Sequence, residues 1–358
     1  MMLGTILIFS KRSGIRWAAS ILPLALVLGA CGNGSSASED LTIVATTSIA
    51  GDLVAQVVGD DATVEVLMPI GTDPHDFQPS SQQAASLRDA DLVVAWGLGL
   101  EEGMDDVLDN AASDGVRIIE LSALVDPMPY VEDHGDGDHG DGDHEDGDHE
   151  DEDHEDGDHD DGDHDDGDHE GADHGDEDGH EHGGLDAHTW MDPVRMATAV
   201  REIGAALGEI DPSGDWADRS ERAADELTDL HAEVESILAV VPHERRKLVT
   251  NHDSFGYFAS RYDFDVVGVA IPGGSTLGSP SSAQLASLID AIRDAGVDVL
   301  FAETSSPAAL LDSIADEIEG VRVVGLLEGS LAAPGEPGDT YAEMMVLNAE
   351  TIAEALAP

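Results

Sequence analysis

Positive charge is scarce in this chain. It sets 15 Lys and Arg against 77 Asp and Glu over 358 residues, a formal net charge of −62. Over a third of the acids fall between residues 132 and 184, yet the remainder is still clearly acidic. Such a surface repels DNA, RNA and anionic lipid headgroups, and a cationic ligand is its natural partner. Cysteine is almost missing as well. Cys31 stands alone, which excludes an internal disulfide. Between Val131 and Leu185 there is no large apolar side chain, so that stretch can build no packed core.

What that stretch does hold is histidine. His134, His139, His144, His149, His154, His159, His164, His169 and His174 recur at every fifth position, and His180 and His182 follow, all set among Asp, Glu and Gly. Imidazole nitrogens and carboxylate oxygens are metal donors, so metal handling is the first expectation for the whole chain. Two readings of the tract stand side by side. It is a solvated, self-repelling loop, or it is a multivalent collector or sensor that raises the metal concentration near a tighter site.

Residues 1–31 read as a targeting segment. Lys11, Arg12 and Arg16 precede an apolar run, WAASILPLALVLGA, too short for a comfortable membrane span. The run ends in Leu28-Gly29-Ala30-Cys31, which resembles a bacterial lipobox, with Cys31 as the lipidated residue that anchors the chain to the outer face of the cytoplasmic membrane. Residues 32–40 form a polar tether.

From Leu41 onward, short β-branched runs alternate with helical patterns, which predicts an α/β fold with parallel sheets. The expected strands are LTIVATTSIA, TVEVLMPI, DLVVAWG and VRIIEL, then, beyond the tract, KLVT, VVGVA, DVLFAE and VRVVGL. Asp192 and Pro193 open a helix at MDPVRMATAV. No Pro or Gly occurs from Asp215 to Val241, and Leu227, Leu230, Val234, Ile237, Leu238 and Val241 share one stripe, which predicts a single long helix. The expected architecture is two βα lobes, residues 41–191 (with the tract at 132–184) and 243–358, joined through residues 192–242 by one long rigid helix. A metal site is expected in the cleft between the lobes, and the chain is expected to act as a monomer.

Five histidines remain outside the tract. His75 lies in GTDPHDFQP after a predicted strand, His188 in DAHTWMDP where the tract re-enters folded chain, and His252 in TNHDSFGYF after the strand KLVT. Side chains at the carboxyl ends of parallel strands converge in the crevice of an α/β fold. His231 and His243, on the long helix and its exit, are expected to face solvent. The HExxH pattern is absent, which weighs against a zinc hydrolase.

The strings GTDPHDFQPS, DAHTWMDP and NHDSFGYFASRY, with the His/Asp-rich insertion between the first and second, resemble the solute-binding proteins of zinc and manganese ABC importers. The resemblance runs from about Leu41 to the C-terminus. It implies His75, His188 and His252 as imidazole ligands, with Glu328 of VVGLLEGSL at the carboxylate position; Glu303 is its rival and water a third possibility. Asp73, Asp186, Asp192, Asp253 and Glu303 are the acids expected to hold the rings. Three imidazoles and a carboxylate favour Zn²⁺ over manganese, which prefers oxygen. The implied function is capture of Zn²⁺ outside the cytoplasmic membrane for delivery to an ABC permease. A manganese-binding homologue and a metal-storage lipoprotein are the alternatives, and the resemblance also admits a role in cell adhesion.

Overall fold

The computed structural model describes residues 41–130 and 184–358. The first lobe runs β1 (Leu41–Ala45), α1 (Ser48–Val58), β2 (Ala62–Val66), α2 (Ser81–Asp89), β3 (Leu92–Ala95), α3 (Asp105–Ser113), β4 (Ile118–Glu120) and the short α4 (Leu121–Leu124). Its strands are all parallel in the order β2-β1-β3-β4. Then come α5 (Pro193–Ile210) and α6 (Trp216–Leu238). The second lobe runs β5 (Lys247–Thr250), α7 (Gly256–Tyr262), β6 (Asp265–Val269), α8 (Ser282–Ala295), β7 (Val299–Glu303), α9 (Ala309–Asp316), β8 (Arg322–Leu326) and α10 (Tyr341–Leu356). Its parallel order, β6-β5-β7-β8, repeats that of the first lobe.

That order fixes where a ligand can sit. In each sheet the first strand is central, and the chain winds outward to one side before crossing to the other. The crevice therefore opens at the carboxyl ends of β1 and β3, and of β5 and β7.

The strand interiors are apolar because both faces are covered. Every residue of β3 is buried, as is every residue of β7. Expected and observed elements differ in three places. LTIVATTSIA ends as a strand at Ala45, and Ser48–Ala50 open α1 behind Thr47, whose side chain caps it. TVEVLMPI ends as a strand at Val66: Leu67 N makes the last ladder bond, to Ala45 O, and Pro69 has no N–H to carry the pairing further. Helix α3 is not among the expected elements, although DDVLDNAAS sets Val107, Leu108 and Ala111 on one face, packed on the core around Leu87 and Met104.

Helices α5 and α6 form the spine. Asp192 caps α5 by accepting from Val194 N at 2.9 Å, with Pro193 in the first turn. Helix α6 is about 35 Å long at about 1.5 Å per residue, and buries Leu227, Leu230, Val234 and Leu238. It packs along α5 and against α10, and α10 reaches back from the second lobe to α1 of the first. One apolar core thus runs from Ile43 and Trp96 through Trp190 and Leu227 to Phe258 and Tyr341. Separate cores cover the outer sheet faces, around Leu87 and Met104 in the first lobe and Leu300 and Leu311 in the second. Among the described residues no helix is long and apolar enough to cross a membrane.

Candidate metal centre

Three loops at the carboxyl ends of the strands each deliver one buried imidazole. His75 comes from the loop between β2 and α2. Asp73 shapes that loop: its Oδ1 accepts from His75 N at 3.0 Å, and its Oδ2 accepts from Thr276 Oγ1 of the second lobe at 2.7 Å. His188 precedes the turn that enters α5. Asp186 Oδ1 accepts from both His188 N, at 2.8 Å, and His188 Nδ1, at 2.7 Å. His252 follows β5, where Thr250 Oγ1 donates to its carbonyl at 2.8 Å. Its Nδ1 lies 2.5 Å from Oε1 of Glu303, the last residue of β7.

The three Nε2 atoms meet. His188 Nε2 is 3.3 Å from His75 Nε2 and 3.0 Å from His252 Nε2, with all three rings at most 3 % exposed. Asp186 and Glu303 accept at Nδ1, which fixes the proton there and leaves a bare lone pair on each Nε2. Lone pairs aimed at one point from about 3 Å repel unless a cation lies between them. In tetrahedral coordination, Zn–N bonds near 2.0–2.1 Å separate the nitrogens by about 3.3 Å. The observed spacing is of that size.

Glu328 follows β8 and is 2 % exposed, and its Oε1 has no hydrogen-bond partner. It groups with His252 and Glu303, their ligand atoms lying within 4.8 Å of one another. Burial pushes its carboxyl well above the usual range, with Glu303, Asp73 and Asp186 adding to the effect. A buried, unpaired acid is costly without a cation or proton nearby.

The electrostatics split the imidazoles. Burial lowers His75 to about 2 and His188 far below its ordinary value, with the neighbouring imidazoles adding to both. At His252 burial pulls the same way, but Glu303, then Asp73 and Asp186, outweigh it and raise the value. Burial also lifts Asp186 to about 7 and Asp253 to about 6.

The other acids named from the sequence lie elsewhere. Asp192 touches no ring. Besides capping α5 it pairs with Arg261 at 2.7 Å and Arg195 at 3.5 Å. Asp73 holds the backbone of His75, not its imidazole. Asp253 N donates to Gly273 O at 3.3 Å, and no imidazole is among its hydrogen-bond partners. His243 is exposed and pairs with Asp263 at 3.0 Å. His231 departs from expectation. It is half-buried, its ring 5.6 Å from that of Tyr262, because α6 lays it against α7.

Three residues that sequence reasoning passed over brace the centre. Glu101, fully buried, accepts from Thr46 Oγ1 at 2.7 Å, Trp96 N at 2.8 Å and Gly97 N at 3.1 Å. Its place in the apolar run VVAWGLGLEE was the available signal. Tyr257 OH donates to Asp186 O at 2.7 Å and accepts from Met128 N at 2.9 Å. Trp190 packs at a tilt against Trp96, ring centroids 4.8 Å apart, and donates to Glu328 O at 3.1 Å, tying the entry to the spine to the loop after β8.

Cys31 and the tract histidines, His134 to His182, lie outside the described residues. The residues that flank the tract do pair. Pro129 bridges Leu185, Tyr130 N donates to Gly184 O at 2.9 Å, and Asp186 N donates to Met128 O at 2.8 Å. The chain therefore leaves and re-enters the fold at one point, beside Asp186.

Known proteins resemble this chain over most of its length. The family model for ZnuA, the periplasmic zinc-uptake complex component A, matches residues 43–355. The high-affinity zinc uptake system protein ZnuA of Paracoccus denitrificans is 37% identical over 343 residues, covering 94% of this chain and 98% of that one. The manganese-binding lipoprotein MntA of Halalkalibacterium halodurans is 24% identical over 343 residues, covering 94% and 96%. Among solved structures, the periplasmic zinc binding protein TroA from Treponema pallidum has the same fold, with a TM-score of 0.70 at 23% identity, covering 89% of this chain and all of that one.

Proposed function

The chain belongs to the ZnuA family of periplasmic metal-uptake components, and from that premise we propose that it captures Zn²⁺ outside the cytoplasmic membrane and delivers it to the permease of an ABC importer. Membership makes it a metal-binding importer component and not an enzyme.

One observation carries the choice of zinc: three buried imidazoles converge, with His188 Nε2 lying 3.3 Å from that of His75 and 3.0 Å from that of His252. Nitrogen donors at tetrahedral spacing suit a borderline-soft ion that accepts low coordination numbers. In this reading His75, His188 and His252 are ligands and Glu328 is the fourth, its orphaned Oε1 waiting on a cation. Glu303 is committed to His252 Nδ1 and acts on the metal through that ring. Cys31 anchors the chain to the membrane. The His/Asp-rich tract at 132–184 gathers Zn²⁺ near Asp186 and His188, beside the point where Tyr130 N donates to Gly184 O.

A second reading has one observation in its favour. His252, Glu303 and Glu328 together make an oxygen-rich donor set, and such a set suits Mn²⁺. Metal content of the purified protein, followed by chelator competition with each ion, separates the two. Zinc held orders of magnitude more tightly than manganese supports the proposal. Comparable affinities, or a preference for manganese, would overturn the choice of ion while leaving the importer role. No tight binding of either ion would overturn both.

A further inference from the structure

His75 is the odd member of the three imidazoles. Asp186 holds Nδ1 of His188 at 2.7 Å and Glu303 holds Nδ1 of His252 at 2.5 Å, whereas Nδ1 of His75 is buried with no hydrogen-bond partner. For its Nε2 to carry a lone pair, the proton must sit on that unpartnered Nδ1. One acid comes within reach: Oε1 of Glu102, at 4.0 Å. Among the other acids, Glu328 groups with His252 and Glu303, and three more serve other partners. Both oxygens of Asp73 accept hydrogen bonds, and Asp186 and Glu303 serve the other two rings.

We propose that Glu102 is the positioning residue for His75, the acceptor that takes its Nδ1–H and so aims Nε2 at the metal. The inference rests on the zinc-capture reading and adds to it the group that completes the outer ring of acids. The surrounding chain places Glu102 for this task. Its neighbour Glu101 is pinned by Thr46, Trp96 and Gly97, so the backbone at 102 starts from a fixed point. Gly103 allows the next step. A Cβ there would run into the carbonyl oxygen of Phe77 and the side chain of Gln78, so only glycine lets this loop lie against the one that bears His75. The Glu102 side chain is 44 % exposed and has room to close the remaining gap. Metal on Nε2 makes Nδ1–H a stronger donor, which draws the carboxylate in.

The test compares zinc affinity, by chelator competition, in wild type, Glu102→Ala and Glu102→Gln, each with and without His75→Ala. Loss of such an outer partner weakens a metal site about 10–100-fold. Glu102→Ala is expected to lose that much, and Glu102→Gln, which keeps an acceptor oxygen, to lose less. Neither substitution is expected to weaken binding further once His75 is alanine. Histidine ¹⁵N spectra of the zinc-loaded wild type should show the His75 proton on Nδ1. Wild-type affinity in Glu102→Ala overturns the proposal, and so does an equal loss in the His75→Ala background, which would point to a general structural effect. If wild type itself holds no tight zinc, the capture reading fails and takes this role with it. If wild type holds zinc and Glu102→Ala holds it as well, the positioning role alone fails.

Discussion

Glu303 and His252 form a buried pair across the second sheet, Oε1 to Nδ1 at 2.5 Å, linking the carboxyl ends of the neighbouring strands β7 and β5. Asn251 supports the pair by accepting from Glu303 N at 3.0 Å. The carboxylate sets the tautomer of His252 and its basicity together. Glu303→Gln keeps an acceptor but removes the charge, and we expect zinc affinity to fall by about tenfold or more. Chelator competition measures it; unchanged affinity would mean that the pair serves the fold alone.

Removing an imidazole should cost more. His188→Ala takes out the ring that both others face and leaves the Asp186 carboxylate buried without its Nδ1 partner. A loss of at least about 100-fold in affinity is expected, together with a lower melting temperature of the metal-free protein. Retention of one tight zinc per chain by this variant would remove His188 from the ligand set.

The pH dependence follows from two raised groups. His252 is lifted above its ordinary 6.5, so its contribution to stability is complete below 6.5 and is lost as pH rises through the higher folded value. Burial lifts Asp186 from 3.8 to about 7, so over that window the folded state binds the extra proton and stability again falls as pH rises. His75 and His188, both lowered by burial, oppose this fall only up to about 6.5, where their unfolded forms lose the proton, so the metal-free protein should melt lower at pH 8 than at pH 7. Zinc displaces those protons, so the rise in melting temperature on adding zinc should be larger at pH 8. Differential scanning calorimetry at the two pH values decides it, and a smaller zinc-induced rise at pH 8 would contradict the assignment.

Tyr257→Phe removes one hydroxyl that serves both Met128 N and Asp186 O. Leaving buried polar groups unpaired costs about 1–3 kcal/mol, a fall of roughly 2–5 °C in melting temperature for a protein of this size. A thermal melt unchanged within a degree would show that other groups take over both contacts.

Replacing residues 131–183 by Asn-Gly should leave the centre intact, because Tyr130 N and Gly184 O already meet at 2.9 Å in a geometry that a two-residue turn can close. The shortened protein is expected to hold one tight zinc and to bind fewer in total at saturation. Unchanged stoichiometry would remove the collecting role from the tract.

How much could be read beforehand depended on distance along the chain. The alternation of strands and helices is a local pattern, and it carries the two parallel lobes and the spine. His75, His188 and His252 stand out because each sits beside a strand end or a helix start, and those loops do converge. Asp186 is two residues from the ring it holds, so proximity alone suggested it. Asp192 caps α5, as its place before Pro193 suggested, whereas its ion pair with Arg261 spans 69 residues. Tyr257 and Glu102 act across 71 and 27 positions, and no spacing rule in a single sequence reaches that far. The pairing of Glu303 with His252, 51 residues apart, needed the β5–β7 neighbourhood that only the sheet order supplies.

The closed stem at Pro129 and Leu185 has a consequence for descent. Because the bridge joins the two ends of the insertion, the cost of closing any longer loop upon it grows only slowly with its length. A lineage can lengthen, shorten or recompose the histidine repeat by slippage without redrawing the fold beneath it. On physical grounds the bridged stem lets the insertion vary in length at little cost to the fold beneath it.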